Sequence, residues 1–295
     1  MAKNKDNGIL KIAYLITCFF LNCLYSTINA QHLVLKDSAM LSARGKVLSQ
    51  DTYGNIYLLT QKNQLCKLFS TWDSVYCIGG RGTSEEALLD PNAICATSQQ
   101  SIYVLDAAPR RIVLFNYNLK PAREVRFIDL ENDPNFTENP TIIPKSFVVG
   151  PGGDLFLLNS FDNKILKFNS NGRLDAQFGG VDYGQGRLLS PNELYIAQDY
   201  TVWVTDTLSQ QIIQFDYYGT WIQNWKPAIP FKWNRAKLSE KKWLFWNEQY
   251  LTLYQIDKPN TQNFQLPCVA NDLETQQNSL ILLNNTKIYR LLISK

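Results

Sequence analysis

Two short apolar runs flank a single acid in VWVTDTLSQQIIQF, residues 202–215, and the same arrangement of apolar and polar positions returns along the chain. The pattern is an apolar anchor, a small polar residue four positions on, a turn, and then a pair of apolar residues three apart. It occurs at Ile56–Thr60–Leu65–Leu68, Ile102–Asp106–Ile112–Phe115, Leu155–Asn159–Ile165–Phe168, Val202–Asp206–Ile212–Phe215, Trp243–Asn247–Leu253–Ile256 and Leu280–Asn284–Ile288–Leu291. First anchors lie 46, 53, 47, 41 and 37 residues apart, which is the period of a four-stranded propeller blade. Helical periodicity is scarce, and short β-rich runs between turn residues read as all-β.

A second marker keeps the same register. Pro91, Pro144 and Pro191 precede their anchors by 11 residues, and Pro230 and Pro267 precede theirs by 13. Proline is tolerated as the first residue of a strand, so each is expected to open an inner strand. Those inner strands then read NAICAT, KSFVVG, NELYIA, FKWNRA and CVANDL.

The stretches CIGGRGTSEEALLDPNAICATSQQSIYVLDAAPRRIVLF and FGGVDYGQGRLLSPNELYIAQDYTVWVTDTLSQQIIQFDYYG resemble NHL-type propeller repeats, close in blades 2 and 4, fair in 1 and 3, and reduced to spacing in 5 and 6. That resemblance runs through Phe-Gly-Gly, a Gly-rich turn, Pro, a short inner strand, a Tyr-Val-x-Asp strand and an Arg-Ile-x-x-Phe strand. The expected fold is a six-bladed β-propeller with four-stranded blades near 38–80, 81–128, 140–180, 186–227, 228–266 and 267–295. The last blade has three strands of its own, and HLVLKD at 32–37 supplies the fourth, closing the ring and removing exposed edges.

The repeat decides how the polar positions are read. Asp206 and its five equivalents, all able to accept a hydrogen bond, fit turn anchoring better than a catalytic acid, which is needed once. Gly79, Gly80, Gly82, Gly179, Gly180, Gly184 and Gly186 sit in connections that lead to strands. A phosphate loop would lead into a helix, so these glycines read as positive-φ positions.

The first thirty residues stand apart. Lys3, Lys5 and Lys11 precede an apolar run from Ile12 to Tyr25, and Ala30 offers a small residue for cleavage, so a secretory signal peptide cut after Ala30 is expected. The mature chain is then secreted or periplasmic. A retained anchor, or lipidation at Cys18 or Cys23, is the alternative, and membrane association is expected only by such a route or through a partner. Setting aside three lysines and one aspartate from 29 basic and 26 acidic residues leaves 26 and 25. That balance argues against nucleic acid as a partner. Of the four remaining cysteines, Cys66 and Cys77 fall opposite each other if 70–73 is a hairpin loop, and a disulfide is expected there. Cys95 and Cys268 are expected to be free.

Candidate chemistry is sparse. His32 is the only histidine and lies beside the cleavage site, so neither a Ser-His or Cys-His pair nor a histidine metal cluster is expected in the core. Lactonase-like and lyase-like six-bladed propellers bind calcium in the channel. The acids available on the inner strands as read here are Glu193 and Asp272, with Asn92, Asn192, Asn234 and Asn271 as further oxygen donors.

Six of seven tryptophans lie between Trp203 and Trp246. Most are expected in the core, while Trp221, Trp225 and Trp233, with Arg235, form a candidate partner-binding surface. The acidic, Pro-broken segment 128–143 reads as a surface loop and carries the sequon Asn135-Phe136-Thr137. The expected function is a non-catalytic module that binds a protein partner in a cell-envelope or extracellular assembly and needs no cofactor. The alternatives are a calcium-dependent lactonase- or lyase-like enzyme with a channel site, and glycan binding.

Overall fold

The structure is a computed structural model that describes residues 32–294 except 99, 133, 135–140, 240 and 257–260. The expected signal peptide, Cys18, Cys23 and the sequon at 135–137 lie outside the described residues. Among the described residues, twenty-four strands form six antiparallel sheets of four. Numbered in chain order, the inner strands are β2 (Gly45–Gln50), β6 (Pro91–Ala96), β10 (Pro144–Val149), β14 (Pro191–Ile196), β18 (Arg235–Ser239) and β22 (Asp272–Gln276). Inner strands of successive blades touch, and β22 touches β2, so the ring is closed. The closing strand β1 (His32–Met40) pairs with β24 (Lys287–Ser294), the last strand of the chain. It is three residues longer than the expected 32–37.

Each blade is apolar on both faces because it packs between two others. The second strands Ile56–Thr60 and Val202–Asp206 are buried at every position, and the apolar side chains gather into six clusters. At roughly 25 cal/mol per Å² of apolar surface removed from water, these clusters supply the main drive for the ring.

The prolines divide the ring in two. Pro91, Pro144 and Pro191 open their strands as expected, each with a register shift immediately after it. Pro230 and Pro267 instead lie five residues ahead of β18 and β22, which pair with their neighbours without a shift. The inner strands of blades 5 and 6 are therefore 235–239 and 272–276, not the expected FKWNRA and CVANDL. That correction changes which side chains face the channel.

Asp206 anchors turns. Its Oδ2 accepts the N–H groups of Leu189 at 2.7 Å and Ser190 at 2.9 Å, and Oδ1 accepts that of Ser209 at 3.0 Å. It thus holds the approach to its inner strand as well as the turn that follows it. Asn159 takes Ile143 N–H at 2.8 Å and returns its amide to Thr141 O at 3.0 Å. Gly79 and Gly179 have φ of 77° and 76°. Gly82 and Gly186 do not have positive φ; a Cβ at Gly186 would meet the Phe215 ring at 2.9 Å.

The segment after β9 (Pro121–Arg126) begins as a short helix α1 (Phe127–Glu131) rather than as loop, because Phe127 and Leu130 are buried beneath it. Cys66 and Cys77 face each other on neighbouring strands and are disulfide-bonded across 11 residues, while Cys95 and Cys268 are free. Cutting a loop of that size should cost roughly 2–3 kcal/mol. Replacing both Cys66 and Cys77 by Ala should lower the urea midpoint accordingly, and an unchanged midpoint would show the bond adds nothing.

Candidate functional site

A channel of about 1180 Å³ runs along the ring axis, lined by all six inner strands. Alternate residues of a strand face one side, so the strand registers stack the lining in layers. One layer holds Val47, Ala93, Ser146, Glu193 and Arg235, with Asp272 buried behind the wall at the same level; two residues further along lie Ser49, Cys95, Val148, Tyr195, Lys237 and Glu274. Blades 1–3 therefore present small and apolar groups, and blades 4–6 present every charge in these two layers. Cys95 of blade 2 stands across the ring from Lys237 of blade 5.

The polarity of the lining follows partly from ring construction. An inner strand has an open edge, and its buried N–H groups need acceptors. Neighbouring blades supply them: Ser49 Oγ accepts Ala96 N–H at 3.0 Å, Ser146 Oγ accepts Leu194 N–H at 3.2 Å, and Ser239 Oγ accepts Thr275 N–H at 3.1 Å. Between blades 6 and 1 the acceptor is a carboxylate: Asp272 Oδ2 takes Leu48 N–H at 2.9 Å. A buried carboxylate needs a counter-charge, and Lys237 provides it.

The Lys237 Nζ donates to Leu48 O at 2.8 Å and Asp272 Oδ2 at 3.1 Å, and lies 3.3 Å from Glu274 Oε2. Burial acts to lower its pKa, but Asp272, Glu274 and Glu193 outweigh that and hold the ammonium charged. Burial pushes the Glu274 carboxyl above its ordinary value, with Lys237 only partly offsetting it. Arg235 pairs with Glu193 Oε1 at 3.2 Å and donates to Asn271 O, using two of its five N–H groups. The Tyr195 hydroxyl bonds Glu193 Oε2. Burial first, then Glu193, keeps that phenol protonated well above its usual range. Burial also raises the Cys95 thiol, which disfavours the reactive thiolate.

Calcium takes six to eight oxygens at roughly 2.3–2.6 Å, and the expected donors do not fit it. Glu193 is committed to Arg235 and Tyr195. Asp272 is committed to Lys237 and Leu48 through Oδ2 and to Leu273 N–H through Oδ1. Asn92, Asn192 and Asn234 line the channel, but the Asn271 amide is turned to Gly45 O at 2.9 Å. Among the described residues, no three His, Cys, Asp or Glu side chains converge on one point.

The four residues of the candidate partner surface are not brought to one exposed face. Trp233 is buried against Phe245, with its backbone N–H on Gln210 Oε1 at 3.0 Å. Half-buried Trp225 packs its ring against Trp243, Phe245 and Tyr254. Trp221 donates its indole N–H to Asn224 Oδ1, and Arg235 belongs to the channel. Ring-filling between blades 4 and 5 accounts for the tryptophan density, since both faces of a blade must be covered.

Sequence reasoning missed Lys237, Glu274 and Tyr195. Tyr195 lies within the expected strand NELYIA, but a search for acids and amides on that strand does not single it out. Lys237 and Glu274 were lost with the misplaced strand starts. Counting back from the second strands, which were located to within a residue, would have found both.

No protein-family model matches the chain, and no curated protein matches it in sequence. Solved structures do match its fold. A streptogramin B lyase superposes with a TM-score of 0.62 at 12% identity, covering 90% of this chain and 98% of that one. A gluconolactonase from Xanthomonas campestris gives 0.61 at 11%, covering 90% and 98%. The β-propeller domain of Cps50 (Swd1) from Myceliophteria thermophila gives 0.61 at 10%, covering 89% and 100%. The expectation of a non-catalytic protein-binding module is corrected on two grounds: enzyme propellers match the chain over nearly all of its length, and the tryptophans offered for a partner are spent on packing. At these identities the likeness establishes the architecture, an all-β six-bladed propeller of four-stranded antiparallel blades closed by its N-terminal strand.

Proposed function

We propose that this protein, built of NHL-type repeats, is an enzyme that works in its central channel on a cyclic ester, by chemistry of the lactonase or lyase kind. The observation that carries the reading is Glu274. It is a buried carboxyl held above its ordinary pKa, beside a fixed cation and across the ring from Val148 of blade 3. Ring opening of an ester, by water or by elimination, needs a group that moves a proton and a cation facing the oxygen that gains charge. Glu274 is the proton-moving group. Arg235 offers its remaining N–H groups to the ester oxygens, and the Lys237 ammonium adds fixed positive charge. Tyr195 positions Glu193, which in turn holds Arg235. The small side chains of blades 1–3 in these two layers leave room for the body of the substrate.

The test is turnover of a panel of lactones and streptogramin B antibiotics. Glu274→Gln should lower kcat by about 10²–10⁴-fold. In the native enzyme kcat/KM should fall as pH drops through a value above the usual carboxylate range, and that limb should vanish in the variant. Turnover by Glu274→Gln equal to the native rate, or none with any panel member, would sink the reading.

We further infer export to an oxidising compartment, which the Cys66–Cys77 bond supports. Sequencing the exported chain should give Gln31 as its first residue; an exported chain starting at Met1 would contradict cleavage.

A further inference from the structure

We propose that the Lys237 ammonium is the resident cation of this channel, filling an oxygen site that would otherwise take a divalent metal ion. The site is built from three blades: Leu48 O from blade 1, Asp272 Oδ2 and Glu274 Oε2 from blade 6, and the lysine from blade 5. An ammonium has three N–H donors; two of them go to Leu48 O at 2.8 Å and Asp272 Oδ2 at 3.1 Å, and Glu274 Oε2 closes the site as an ion pair at 3.3 Å. Two carboxylates and a carbonyl are the hard oxygen donors that calcium prefers. Here they close on nitrogen.

The alternatives to this arrangement are worse on charge grounds. Asp272 and Glu274 are alternate residues of one strand, so both project to the same side, and both are buried. Without Lys237 two like carboxylates would face each other in a low dielectric, and one would have to take up a proton or a cation. The side chain that fills the gap is itself buried, reaching from a neighbouring blade with its stem along the wall. Arg235 repeats the logic one layer away, where it takes the Glu193 carboxylate. Among the described residues, the carboxylates of this wall are met by cations of the chain itself.

The inference concerns the channel of the proposed function and rests on that reading only for its consequence, that turnover needs no metal ion. Its test therefore reads binding rather than activity. Calorimetric titration of the native protein with calcium, magnesium or manganese chloride should show no site with Kd below about 1 mM. Chelator should leave its Tm unchanged. Lys237→Gln removes the charge and supplies an amide oxygen, and it should gain a calcium site. At about 100 times Kd the ion should raise the variant's Tm by roughly 5–10 °C. The double variant Lys237→Gln with Glu274→Gln, which restores the balance of charge, should not respond to calcium.

A submillimolar calcium site in the native protein overturns the proposal. So does a folded Lys237→Gln protein that calcium does not stabilise. If that variant folds only when calcium is added, the proposal stands. If it folds in neither condition while the double variant folds, the oxygens do not accept a metal and the lysine is a structural ion pair alone.

Discussion

Trp243→Ala should destabilise the propeller by about 3–5 kcal/mol, the range for removing a large buried aromatic. Trp243 has no exposed surface and stands at the centre of the blade 4–5 interface. Trp203 lies 5.9 Å away between ring centroids, Tyr195 5.5 Å, Phe245 5.9 Å and Trp225 6.4 Å. Its neighbours are held by two separate sheets, so they cannot collapse into the space it leaves. The measurement is the midpoint of urea unfolding. Trp243→Phe should recover more than half of the loss, because the indole Nε1 makes no hydrogen bond that would be missed. The edge of Tyr195 rests on Trp243, and Tyr195 holds Glu193, so the alanine variant should also disturb the channel. A loss below 1 kcal/mol would mean the rings repack, contrary to the rigidity argued here.

Asp206→Ala should cost about 3–5 kcal/mol, since a charged acceptor leaves three N–H groups of Leu189, Ser190 and Ser209 without a partner. Asp206→Asn is the sharper experiment. At Asn159 the amide side works because it meets Thr141 O. At 206 both carboxylate oxygens face donors, so an asparagine would set its NH₂ against an N–H. Asn should therefore recover only part of the loss at 206, while Asn159→Asp should be unfavourable for the mirror reason. Equal stability of Asp206→Asn and the native protein would refute this account.

The channel and the blade interface answer to different rules. Interfaces are filled by apolar volume, and a tryptophan there is interchangeable with other large rings to the extent that shape allows. The channel wall is set by charge balance among five side chains, Glu193, Arg235, Lys237, Asp272 and Glu274, from three adjacent blades. Substitutions at Trp225 or Trp233 should therefore move stability, and those at Glu274 or Arg235 should move turnover.

Period and pattern belong to the sequence, because a blade must bury both faces and can do so only with apolar residues at strand spacing. The six anchors, the acceptor four residues after each, and Pro91, Pro144 and Pro191 were therefore legible, and with them the fold, the ring closure and the facing cysteines 66 and 77. What faces the channel was only partly legible. In blades 1–4 a register shift early in the inner strand fixes its start, whereas blades 5 and 6 pair straight through, with the proline five residues upstream. Spacing to a proline cannot distinguish those cases, because the difference lies in whether a bulge forms against the second strand. Only the tertiary structure could set Lys237 between Asp272 and Glu274, since the three oxygens around its nitrogen come from blades at opposite ends of the chain. Leu48 and Lys237 are 189 residues apart, and ring closure alone makes them neighbours.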